Sequence, residues 1–139
     1  MAIYHATMKS FSRGNGDSSV AAAAYRAGFD LLDMSTGLGH NYSHRGGVDF
    51  HQMLAPKGAP EWCFDAQYFW NANEAAETRK NARVCREVEV SLPHQLDPHQ
   101  RRALALALGQ LLVNRFKVAV LVAVHTPSKY GDQRRSEER

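Results

Sequence analysis

The sequence predicts an α+β domain, a sheet with helices packed on it, and three observations carry that expectation. Stretches of two-residue alternation or β-branched character lie at Ala2 to Phe11, Val48 to Leu54, Arg83 to Pro93 and Lys117 to His125. Segments of helical character with capping residues at their starts fall among them. Gly-, Pro- and Ser-rich turn signals separate the two kinds, and no internal repeat suggests a solenoid.

Each element has a local reason. Ala2 to Phe11 alternates Ile3, His5, Thr7 and Lys9 against Tyr4, Ala6 and Met8, which predicts a first strand ended by Arg13-Gly14-Asn15-Gly16. Asp17, Ser18 and Ser19 are all N-cap residues, and Val20 to Tyr25 holds four consecutive alanines, the strongest helix formers, with Gly28 where the helix would stop or bend. Asp30 to Gly47 is polar and turn-rich, so a hairpin or irregular excursion is expected. Pro56 to Pro60 reads as a linker, and Trp62 to about Ala82 spaces Phe69, Ala72, Ala75 and Ala76 like an amphipathic helix. In Arg83 to Pro93, Val84, Val88, Val90 and Leu92 share one parity while Glu87, Glu89 and Ser91 take the other, a strand with an apolar and an acidic face. Asp97 and Pro98 open a helix filled from Arg101 to Val113 with Ala and Leu. Lys117 to His125 reads as a buried central strand ending in a histidine, and Thr126 to Arg139 as a polar loop or tail.

Composition narrows the class without naming a function. The 139 residues suit one domain, and 44% hydrophobic with 22% charged residues excludes the disordered, collagenous and membrane classes. A net charge of +3 is compatible with nucleic acid but is equally explained by solubility. Cys63 and Cys85 cannot build a disulfide framework and lack metal-ligand spacing, so two free thiols in a reducing cytoplasm are expected. Neither a secretory leader nor a membrane-spanning run is visible.

Four groups of side chains bear chemistry. Tyr25 follows the alanines on a helix whose small side chains allow close approach to a sheet, aiming one phenol at the sheet face. Alone, such a tyrosine is a packing residue, and as a nucleophile it needs a base or metal to favour its phenolate, because its reference pKa is about 10. His125 ends the central strand on the parity of Ala119, Leu121 and Ala123, where an imidazole can meet a metal or phosphate or serve as a hydrogen-bonded structural group. Glu87 and Glu89 can orient a base or ligand, or form a solvated face paired with Arg83 and Arg86. Lys9 and Arg13, with Ser12, Ser18, Ser19 and a helix N-terminus, offer donors to phosphates.

Several blocks of sequence then add up to a resemblance. Ala2-Ile3-Tyr4-His5, Ser12-Arg13, and Ser18 through Ala24-Tyr25-Arg26-Ala27-Gly28 closely resemble the opening of the MobA/MobL family of plasmid mobilisation relaxases. Ala59-Pro60-Glu61-Trp62, Trp70-Asn71, Glu77-Thr78-Arg79-Lys80, Arg86 to Pro93 and Ala123-Val124-His125 follow in the family's order, so the resemblance runs from Ala2 to His125. It implies an HUH-type relaxase with a central, mainly antiparallel sheet flanked by helices and a histidine triad holding a divalent metal, Mg or Mn. By the same resemblance Tyr25 is the nucleophile that nicks one strand at a transfer origin and keeps a 5′-phosphotyrosyl link. Glu87 is the acidic residue of the site, with Glu89 its weaker companion, and His125 the first metal ligand. Lys9, Arg13 and Arg26 grip the phosphates of single-stranded origin DNA, and relaxosome accessory proteins are possible partners.

One departure shapes the expectation. The family's His-x-His pair has no counterpart after His125, so residues 1–125 are expected to be a relaxase domain lacking its last strands, with metal binding and nicking in question. The alternatives are a DNA-binding remnant that does not cut, and a plain α+β domain in which Tyr25 and His125 are structural. A shared cleft for Tyr25 and His125 separates the last of these from the other two.

Overall fold

The computed structural model describes residues 6–44, 46–93 and 95–125, with the backbone of 136–138. Residues 2–5 of the expected first strand, with His5, and His94 lie outside the described residues. In chain order the strands are β1 (Ala6–Ser12), β2 (Asp30–Asp33), β3 (Leu38–Asn41), β4 (Val48–Leu54), β5 (Arg83–Leu92), β6 (Val120–His125) and β7 (Ser136–Glu138). The α-helices are α1 (Ser19–Ala27), α2 (Ala66–Ala76) and α3 (Pro98–Phe116). The main sheet runs β1-β5-β7-β6-β4 with every neighbouring pair antiparallel, and β2 and β3 form a separate hairpin. The α+β class with an antiparallel sheet flanked by helices is therefore observed.

The parity read from the sequence decides which face each strand offers. Val90 and Leu92 of β5 and Val122 and Val124 of β6 are buried with Ala105 of α3, and Val88, Phe50 and Leu54 pack on that cluster. The opposite face of β6 presents Leu121 to a second core made by Val20, Ala23 and Ala24 of α1 and Leu31 of β2. α3 is drawn close to its face because residue 109 is glycine: a Cβ there would stand 2.6 Å from Val122 Cγ2 and 3.0 Å from Leu54 Cδ1.

Three boundaries differ from expectation. The helix expected over Trp62 to Ala82 is a 3-10 turn over Glu61–Phe64 followed by α2. Asp65 accounts for the break: its extended backbone (φ −97°, ψ 108°) ends the turn, and its side chain caps α2 by accepting from Tyr68 N–H. Lys117 does not begin a strand but caps α3 at φ 56°, its N–H donating to Val113 at 2.8 Å, so β6 starts at Val120. Within the segment read as polar loop or tail, Ser136–Glu138 pairs with β5 on one side and β6 on the other. Polar residues hide such a strand from a hydrophobic pattern, because the ladder bonds come from the backbone.

The hairpin is held to α2 by side chains that imitate a neighbouring strand. Gln67 accepts from Leu32 N–H and donates to Leu32 C=O, both at 2.8 Å, while Asn71 accepts from Met34 N–H at 2.7 Å and donates to Leu32 C=O at 2.8 Å. Residues 67 and 71 are one helical turn apart, so both amides reach the same edge. At the end of β2, burial pushes the Asp33 carboxyl upward, but hydrogen bonds from Ser18, Ser35 and Thr36 outweigh it and hold the group below its ordinary value. A lowered folded-state value contributes stability that is present above about pH 4 and is lost as pH falls through it. In acid titration, Ser18→Ala should therefore lessen the pH dependence of stability below pH 4 and cost about 1 kcal/mol at neutral pH through the lost N-cap, read by denaturant unfolding at both pH values.

Candidate active site

α1 sits on the sheet as the alanine run dictates. Ser18 Oγ accepts from Ala21 N–H at 3.3 Å to start it, and Gly28, at φ 72°, ends it in the left-handed region. Ala23, Ala24 and Ala27 are buried, so only methyl groups separate the helix from its neighbours. Its N-terminus is anchored by a carboxylate from α2. Glu74 Oε2 accepts from Ser19 N–H at 2.7 Å and Ser19 Oγ at 2.6 Å, and Oε1 meets the Arg13 guanidinium at 3.1 Å. A negative group beside the unsatisfied first-turn amides also opposes the helix dipole favourably.

The C-terminal end of α1 brings the candidate residues together through Arg26. The guanidinium carbon of Arg26 lies 4.9 Å from the centroid of the Tyr25 ring, and its Nε meets Glu87 Oε1 at 3.0 Å. The main-chain carbonyl of Arg26 accepts from His125 Nε2–H at 2.7 Å, which assigns the proton to that ring nitrogen because a carbonyl can only accept. One residue thus touches the phenol, the carboxylate and the imidazole. Tyr25 is 41% exposed, whereas the Arg26 and Glu87 side chains are 17% and 9% exposed. The phenol faces solvent from a site whose charges are withdrawn from it. Glu87 Oε2 is buried and, among the described residues, has no hydrogen-bond partner, leaving an acceptor beside the ion pair.

The remaining candidates divide. Lys9 of β1 is directly opposite Glu87 in the antiparallel register, on the same sheet face, and is exposed with its ammonium 5.0 Å from the Phe11 ring. Glu89 is two residues further on this face, opposite Thr7. Arg13 is not brought to Tyr25. It belongs to the other end of α1, where its guanidinium donates to the carbonyls of Glu74, Glu77 and Arg79 and to the Glu74 carboxylate. Its donors hold the end of α2, at the other end of α1 from Tyr25.

Among the described residues no three His, Cys, Asp or Glu gather in an arrangement that would hold a metal ion. His125 is flanked in register by Val48 and Glu137, and its Nε2 is engaged by Arg26. The described donor set therefore does not fit a divalent metal by itself. Both cysteines are free, and burial, reinforced by Glu74, Glu87 and Asp17, pushes the Cys85 thiol up to about 12. It is neither a nucleophile nor a ligand near neutral pH.

Two participants escaped sequence reasoning. Tyr42, just after β3, presents its ring edge-on to Tyr25 at 5.3 Å and 83°, while its N–H donates to Phe29 C=O at 2.9 Å. The second is Glu74, with Asn73 beside it donating to Ser19 Oγ and Val84 C=O. Glu74 lies on the helix that the periodicity located, but nothing in the spacing marks which charge faces inward.

Comparison with known proteins gives the family of the chain. The family model described as "MobA/MobL family" matches residues 17–135. The mobilization protein MobL of Acidithiobacillus ferridurans is 43% identical over 133 residues, 96% of this chain and 34% of that protein. The probable mobilization protein MobA of Bifidobacterium longum (strain NCC 2705) is 34% identical over 101 residues, 73% of this chain and 18% of that protein. The chain thus spans about a third or less of these two relatives. A solved structure from work on the "Molecular Basis of Vancomycin Resistance Transfer in Staphylococcus aureus" superposes with a TM-score of 0.87 at 28% identity, covering 99% of this chain and 68% of that one. On these matches, the chain belongs to the MobA/MobL family of mobilisation relaxases.

Proposed function

We propose that the chain carries the nucleophile of a strand-nicking relaxase acting on single-stranded DNA at a plasmid transfer origin, in the cytoplasm and with relaxosome accessory proteins. The observation that carries this reading is the convergence of Tyr25, Glu87 and His125 on Arg26. Tyr25 Oη attacks the scissile phosphorus, an Oη–P bond forms, and the P–O3′ bond breaks. The leaving strand takes a proton as a free 3′-hydroxyl, and the new phosphotyrosyl ester stores the bond for rejoining. The Glu87 carboxylate, with one oxygen unspent among the described residues, is the acceptor for the phenolic proton. The Arg26 guanidinium beside the ring places positive charge where the phenol and phosphate acquire negative charge. Lys9, exposed on the same face, adds a phosphate contact.

A strand whose scissile 3′-oxygen is replaced by sulfur tests this directly, since a thiolate leaves without help from a metal or a general acid. Single-stranded origin DNA of this kind should become attached to the protein with release of one 3′-thiol per adduct. Binding without attachment or thiol release would instead favour the non-cutting, DNA-binding alternative. Glu87→Gln, which keeps shape but removes the proton acceptor, should slow attachment by about 10²-fold with little change in strand affinity, measured by single-turnover kinetics.

A further inference from the structure

A second recess lies beside the candidate site. β4 runs along β6 from Val48, opposite His125, to His51, opposite Ala123, and Met53, opposite Leu121. His51, opposite Ala123, is thus two residues of β6, or roughly 7 Å at about 3.3 Å per residue, along the ladder from the His125 position. There β4, the start of α2 and β2 enclose an open groove of about 370 Å³. Phe29, one helical turn beyond Tyr25, forms one wall with His51, the two rings edge-on at 4.7 Å. Phe64 stands on the rim, 53% exposed, and makes no ring contact among the described residues.

The polar groups of the groove are not equivalent. Gln67 spends its amide on Leu32, and Asp65 caps α2. Asp30, exposed and lining the groove, makes no side-chain hydrogen bond or ion pair among the described residues. Two carboxylates, Asp30 and Asp65, repel phosphate, so the groove suits an uncharged aromatic group that carries N–H donors rather than the backbone of a nucleic acid. We propose that this groove is a subsite for one guanine base of the strand bound at Tyr25, stacked on Phe64 and read by Asp30. Two carboxylate oxygens match the paired N1–H and N2–H donors of guanine, whereas adenine and cytosine each offer one exocyclic amine beside an acceptor. Aromatic stacking supplies the part of the affinity that does not depend on sequence. The inference rests on the proposed single-strand binding and adds base preference to it.

Fluorescence anisotropy with short oligo-dT strands carrying one dG, dA, dC or deoxyinosine at each position in turn separates the two ideas. The wild-type protein should bind a dG strand about tenfold tighter than the dA, dC or all-dT strands, and deoxyinosine, lacking the 2-amino group, should lose most of that gain. Asp30→Asn should move the preference from dG to dA, whose amine and ring nitrogen complement a carboxamide, while the thermal midpoint of unfolding stays unchanged. Phe64→Ala should weaken all strands about tenfold and leave the order of bases intact. Tight binding with no base preference, or a preference that Asp30→Asn leaves in place, overturns the guanine subsite and spares the proposed function. Failure of every strand to bind overturns both.

Discussion

Glu74→Ala is expected to lower stability by about 3 kcal/mol, and the thermal midpoint by roughly 10 °C, the largest stability effect of any single substitution considered. The carboxylate is 4% exposed and serves three donors at once: Ser19 N–H, Ser19 Oγ and Arg13. Its removal leaves a guanidinium without its counter-charge and a first-turn amide without an acceptor, and truncating one partner of such a group costs more than the pair contributes. Glu74→Gln should retain part of the loss as hydrogen bonding, and Arg13→Ala should share the defect because it opens the same cluster. A scanning calorimetry series of the three variants checks the order. Because α1 is seated by this network, the loss should extend to Tyr25 at its far end, and Arg13→Ala should weaken DNA binding only as far as it weakens folding.

Tyr25→Phe should abolish attachment to the sulfur-bridged strand, a fall of at least 10³-fold, while the affinity for the strand changes less than twofold. The substitution keeps the ring that packs against Tyr42 and Arg26 and deletes only the attacking oxygen. Glu87 is tied to Arg26 and the Cys85 thiol is held protonated up to about 12, so neither takes over the attack, and the neighbouring Tyr42 phenol is the substitute to check. Residual attachment above that level would move the nucleophile elsewhere. Equilibrium binding and gel-resolved adduct formation, measured on one preparation, separate the two effects.

How much of this was legible in the sequence depends on which forces fix each part. α1 was readable to within a residue or two, since three N-cap candidates, the alanines and Gly28 are local signals for cap, helix and stop, and the structure takes Ser18 as the cap. The two-faced strand at β5 followed from parity and the strand at β6 from its β-branched residues, and the parities of Glu87 and His125 prove to be those of the sheet face that receives α1. The start of α2 and the start of β6 were misplaced because Asp65 and Lys117 act through backbone geometry, which composition does not show. β7 was missed because its partners are β5 and β6, distant in sequence, and its own residues carry no apolar alternation.

The site was legible as a set of residues but not as an arrangement. Arg26 could be read from spacing only as a basic residue near a tyrosine. That its carbonyl receives His125 and its guanidinium holds Glu87 depends on contacts 99 and 61 residues apart. Arg13 was read as a phosphate ligand for the same reason, since a free cation and one engaged by the carbonyls at the end of α2 have the same letter. Tyr42 and Asp30 belong to a hairpin whose docking is set by the amides of Gln67 and Asn71, a tertiary choice that periodicity cannot register.

The central claim is that Tyr25, and not a neighbouring phenol, attacks the phosphorus. Tandem mass spectrometry of the digested adduct formed with the sulfur-bridged strand identifies the modified residue. The account requires the nucleotide to be on Tyr25, in the peptide that also contains Arg26. A nucleotide on Tyr42, whose ring is 5.3 Å away, or on any other side chain would contradict it.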